Sequence, residues 1–146
     1  MKFEDKVVLI TGSGTGIGMT VAKKFIENGA SVIILGRRKE PLESTSEMLT
    51  KIINEKNSKG FVKIFSGVDV SDEKSVSDMF DSLKNDGINV DVIVNNAGVS
   101  GPVTCFSHAS LDDFRSTVDI HLTGTFWTSV QAVSYTHLTL PTILLV

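Results

Sequence analysis

The chain has 146 residues, of which 41% are hydrophobic and 21% charged, and its formal net charge is −3. That length suits one domain with a buried core and is too short for two ordinary ones. The mild acidity gives no reason to expect nucleic acid or an anionic membrane surface as a partner, and no apolar stretch is long enough to span a bilayer.

The single cysteine, Cys105, cannot close an internal disulfide, which points to a reducing, cytoplasmic setting. The charged start, Met1 to Asp5, lacks the apolar segment of a secretory signal. No metal site, internal repeat or linker is expected.

The first element is a strand, because Lys6 to Ile10 is a β-branched apolar run. A glycine-rich turn, Thr11 to Gly18, follows it. Met19, Val21, Ala22, Phe25 and Ile26 then recur at helical spacing, and Asn28-Gly29 ends that helix. Ser31 to Leu35 reads as a second strand. Glu40 to Asn57 reads as a second helix with Leu42, Met48, Leu49, Ile52 and Ile53 on one face, broken by Gly60. Phe61 to Phe65 is the third strand.

Ser71 is placed to cap a third helix, with Asp72 and Glu73 in its first turn and Val76, Met79, Phe80 and Leu83 as its inner stripe. Asn85-Asp86-Gly87 stops it, and Val90 to Val94 is the fourth strand. After an irregular loop at Gly101-Pro102, Ser110 caps a fourth helix that runs through Phe114, Val118 and Leu122 toward Val130. Strict β–α alternation with near-continuous apolar strands predicts an α/β fold with a doubly wound parallel sheet of Rossmann type and right-handed crossovers. The strand order expected is three-two-one-four, with the ligand crevice beyond the glycines.

Strand, glycine turn and helix in that succession form a place to hold a dinucleotide pyrophosphate. Glycines let backbone N–H groups approach phosphate and leave the positive helix end facing it. Gly12, Gly14, Thr15, Gly16, Ile17 and Gly18 are therefore cofactor-binding candidates. An acid ending the second strand would select NAD through the ribose. Gly36 stands there instead, followed by Arg37 and Arg38, which suit a 2′-phosphate and favour NADP over NAD.

Thr11-Gly-x-x-x-Gly-Ile-Gly18, together with Asn95-Asn96-Ala97-Gly98 after another apolar run, resembles the short-chain dehydrogenase/reductase family from about Lys6 to about Ala132. The resemblance implies hydride transfer between a nicotinamide cofactor and a small-molecule carbonyl or alcohol, of 3-oxoacyl or sugar type, and a homo-oligomeric parent. It implies adenine binding by Asp69, with Val70 beside it, and a nicotinamide ribose lined by Asn96, Ala97 and Gly98. His121 stands where most of the family has an asparagine that anchors a water, so it is the one catalytic candidate; packing is the alternative reading.

The family's Tyr-x-x-x-Lys pair is expected beyond the fourth helix. This chain's single tyrosine is Tyr135, with Thr139 four residues later. A phenol near its ordinary pKa of about 10 is a poor base at neutral pH. From Val133 onward the sequence loses helical periodicity and looks like a translated sequencing adapter. Residues 1–132 are thus expected to be an incomplete dinucleotide-binding domain, truncated after the fourth helix, and 133–146 a non-native tail. The function implied is that of an NADP-dependent carbonyl-reducing fragment, inactive as written. The alternatives are a non-catalytic dinucleotide-binding protein and an NAD(P)-dependent epimerase.

Overall fold

The computed structural model describes residues 2–101 and 103–136, with the side chains of Tyr135 and Thr136 left aside. Four strands, β1 (Val7–Thr11), β2 (Ser31–Gly36), β3 (Val62–Ser66) and β4 (Val92–Val94), form one parallel sheet in the order β3-β2-β1-β4. This is the doubly wound, Rossmann-type order expected from the sequence. Leu9 pairs in register with Ile33 on one side and with Ile93 on the other.

Helices α1 (Gly16–Glu27), α2 (Lys39–Glu55), α3 (Glu73–Asn85), α4 (Leu111–Val118) and α5 (Gly124–Thr136) connect and cover the strands. Alternation along each strand splits the core in two. Val8, Ile10, Val32 and Ile34 face α1 and α2 with Ala22, Ile26, Leu42, Leu49 and Ile53. Leu9, Ile33 and Leu35 face the other way, against Val76, Met79, Phe80 and Leu83 of α3 and Ala132 of α5. Each fully buried Val, Leu, Ile, Phe or Met among them contributes about 1.5–3 kcal/mol of apolar transfer.

The inner stripe of α3 is the one expected, but its cap is not Ser71. Asp72 takes that position and accepts from Lys74 N, because Ser71 Oγ is drawn back to Asp69 Oδ1 at 2.6 Å. Helix α2 ends before Gly60, at Glu55, with Lys56 as its C-cap and Asn57 following in the left-handed region at φ 50°.

The fourth predicted helix departs most. Ser110 does cap α4, accepting from the amides of Asp112 and Asp113. The ladder then widens into a π turn at Asp119–Thr123 before α5 begins. Phe114 and Leu122 are exposed, at 59% and 68%. The buried stripe is Gly124, Thr128 and Ala132, on the opposite side of the helix. These small residues let α5 approach closely: a Cβ on Gly124 would lie 2.8 Å from Val70 Cγ2. Helix α5 continues through 133–136, and 137–146 lie outside the described residues.

Candidate functional site

The carboxyl ends of β1, β2 and β4 open into a cleft of about 180 Å³. A parallel sheet places its ligand crevice at this edge, where neighbouring connections diverge to opposite faces. Its floor is the glycine turn. Gly12 adopts φ 63°, and a Cβ there would lie 2.8 Å from Ala97 Cα. Gly18, in the first turn of α1, lies against Asn96, where a Cβ would come within 2.5 Å of Nδ2. Thr15, the N-cap residue, offers α1 no side-chain cap, so the first-turn amides are left to other acceptors.

Hydrogen bonds from three directions fix the turn. Buried Ser13 donates Oγ–H to Ile10 O at 2.8 Å and accepts from Leu35 N at 3.0 Å, tying the turn to β2. Thr45 of α2 donates to Gly14 O at 3.0 Å. Asn96 Nδ2 donates to Thr11 O at 2.9 Å and to Gly12 O at 3.1 Å. Thr11 Oγ1 in turn accepts from Asn96 N and Ala97 N. The two sequence motifs thus interlock, and among the described residues no buried side-chain N or O lacks a partner.

Of the candidates from the sequence, Gly12, Gly14, Thr15, Arg37, Arg38, Asp69, Val70, Ala97 and Gly98 line the cleft. Gly16, Ile17, Gly18, Asn96 and His121 do not. Gly18 and Asn96 support it from behind, and Ile17 is 76% exposed. His121 reaches the cleft indirectly, through Val99: its Nε2 lies 3.0 Å from Val99 N and 2.8 Å from Val99 O.

Burial works against ionisation of Asp69, but it is outweighed. Ser71 Oγ–H and N–H both bond its Oδ1, and the Arg37 guanidinium adds attraction, so the carboxyl is held below its ordinary range. Asp69 therefore serves as a charged local turn former at the cleft wall. The sequence reading missed Thr11, Ser13 and Thr45 as supports, and Val99 and Ile120 as lining residues. Thr11 and Ser13 stood inside the motif, where only their burial and partners distinguish them.

Sheet order, crossovers and a cleft floored by glycines define a Rossmann-type α/β protein. Residues 6–138 match the family described as short chain dehydrogenase, and the chain belongs to the short-chain dehydrogenase/reductase family. It is 34% identical over 126 residues to a 3α-hydroxysteroid dehydrogenase of Mediterraneibacter gnavus, covering 86% of this chain and 48% of that protein. It is 32% identical over 130 residues to a 3-oxoacyl-[acyl-carrier-protein] reductase of Chlamydia pneumoniae, covering 89% and 49%. The crystal structure of an NAD+-bound xylitol dehydrogenase matches with a TM-score of 0.83 at 27% identity, over 92% of this chain and 49% of the other. The chain spans about half the length of these relatives.

Proposed function

We propose that this chain carries the dinucleotide-binding half of an NADP-dependent short-chain oxidoreductase that reduces a carbonyl. The observation that carries the reading is the convergence in one cleft of the glycine turn, the Arg37-Arg38 pair, Asp69 and the Ala97-Gly98 segment. The residues present fit the nucleotide: a floor without Cβ atoms, uncapped first-turn amides and a cationic end suit an extended, multiply phosphorylated ligand. Gly12 to Gly18 would cradle the pyrophosphate, Arg37 and Arg38 the 2′-phosphate, Asp69 and Val70 the adenine, and Asn96 to Gly98 the nicotinamide ribose. When bound, the nicotinamide supplies or accepts a hydride at a carbon bearing oxygen.

Substrate class rests on kinship: the relatives named above act, by their names, on hydroxysteroid and 3-oxoacyl groups. The NAD+ held by the xylitol dehydrogenase argues the other way on cofactor, which makes Arg37 the discriminating residue. His121, the catalytic candidate of the sequence, reaches the nicotinamide end only through the Val99 backbone. Proton transfer to the carbonyl has no strong donor here, since Tyr135 is the only tyrosine and Thr139 stands four residues on. The 146-residue chain is therefore read as binding the cofactor without turnover.

Calorimetric titration of NADP+ and NAD+ into the chain tests the binding claim. Saturable binding at one site, tighter for NADP+, is expected; no heat with either nucleotide refutes it.

A further inference from the structure

We propose that His121 is a proton-dependent positioning residue for the Gly98–Val99 wall of the cleft, an inference that rests on reading the cleft as a dinucleotide site. The helix between Ser110 and Thr136 departs from α geometry only at Asp119–Thr123. Single π turns of this kind are frequent at functional sites, because the extra residue re-aims a side chain. Here His121 lies on the chain leaving β4. Its Nε2 is 3.0 Å from Val99 N and 2.8 Å from Val99 O, and a Cβ on Gly98 would lie 2.5 Å from its Cε1.

One ring nitrogen carries either a lone pair or a proton. With the lone pair it accepts Val99 N–H, and the Val99 carbonyl gains nothing from the ring. With the proton it donates to the carbonyl, and Val99 N–H loses its acceptor. The neutral ring selects between these by tautomer, whereas the imidazolium can only donate. The two peptide units that flank Val99 must therefore respond to the proton, and Val99 lines the cleft. An asparagine amide has separate donor and acceptor atoms and meets no such conflict.

The turn contacts α4 and α5, and its Ile120 packs on the α3-side core and lines the cleft with Arg37, Arg38 and Asp69. Helix α4 brings Asp112, Asp113 and Arg115, of which Arg115 Nη1 lies 3.4 Å from Asp112 Oδ1, and the turn itself brings Asp119. Helix α5 has no titratable side chain from Gly124 to Ser134, and neither has the segment 95–101. Among the described residues, none of these charged groups bonds His121. Protonation thus adds uncompensated positive charge at the end proposed for the nicotinamide, whose oxidised ring is itself cationic. Oxidised cofactor should be held more weakly when the imidazole is charged.

The test uses the chain with NAD+ as probe, because a 2′-phosphate titrates near pH 6 on its own account. The Val99 amide is followed by NMR in a pH titration without ligand, and NAD+ affinity is measured across the same range. As the His121 ring takes up its second proton the affinity is expected to fall roughly three- to tenfold, the scale of one exchanged hydrogen bond. The Val99 amide shift is expected to follow the His121 ring proton, and both effects are expected to vanish in His121→Asn. A wild-type Val99 amide indifferent to that proton, or the same pH dependence retained in the variant, overturns the proposal. Absence of NAD+ binding at every pH instead overturns the dinucleotide reading, separably, since the amide titration needs no nucleotide.

Discussion

Thr11 and Asn96, 85 residues apart, are joined by two hydrogen bonds: Asn96 N donates to Thr11 Oγ1 at 2.9 Å, and Asn96 Nδ2 donates to Thr11 O at 2.9 Å. With Ala97 N also on Thr11 Oγ1 at 2.8 Å, this fastens the end of β4 to the glycine turn. Thr11→Val keeps the shape and removes the acceptor. Leaving backbone N–H groups without it should lower stability by about 1–3 kcal/mol. Urea unfolding measures this; an unchanged midpoint would show that water replaces the hydroxyl without loss.

Gly18→Ala tests the close approach rather than backbone freedom, since Gly18 is helical and alanine is intrinsically the better helix former. The new methyl would meet Asn96 Nδ2 at 2.5 Å and Gly12 O at 2.7 Å. Overpacking should cost about 1–3 kcal/mol and weaken nucleotide binding. Gly36→Ala is the control for stability, because its Cβ meets only Leu42 Cδ1 at 3.9 Å. An equal loss of stability in the two variants would contradict the steric account.

Arg37→Asp should reverse the preference for NADP+ over NAD+. It removes a charge-assisted contact and adds a repelling carboxylate, on the order of 2–3 kcal/mol in the affinity ratio. Paired titrations read that ratio directly. An unaltered ratio would take Arg37 out of the site.

Acid should loosen the join between β1 and β4. Burial opposes the charge on Asp91, but Lys6 Nζ at 2.8 Å and Val7 N at 2.9 Å outweigh it and hold the carboxyl below its ordinary range. A carboxyl depressed in the folded state stabilises above its unfolded pKa, and that stability is lost as pH falls through the folded value. The contact is part-exposed, so the contribution should stay below about 1 kcal/mol. Asp91→Asn should flatten the acid limb of stability against pH; an identical limb in the variant would assign the acid sensitivity elsewhere.

Local signals carried much of this structure. The α3 stripe was legible because Val76, Met79, Phe80 and Leu83 are large, apolar and in phase. The sheet order followed from β–α alternation, and the cleft from Gly12 to Gly18 sitting between a strand and a helix. Asp72 displaced Ser71 as cap because Asp69 competes for the serine hydroxyl, a partner that residue preferences do not weigh. The inner face of α5 was invisible to a hydrophobic pattern because Gly124, Thr128 and Ala132 are small. The π turn that aims His121 leaves no composition signal, and neither does the pairing of Thr11 with Asn96, which exists only once β4 lies beside β1.

Amide shift mapping with NADP+ tests the central claim most directly, because it asks where the nucleotide sits. The largest changes are expected at Gly12 to Gly18, Arg37, Asp69 and Gly98, around the cleft at the carboxyl ends of the strands. Changes confined to the apolar groove beside Phe3, Val21 and Phe25, on the far flank of α1, would contradict the account.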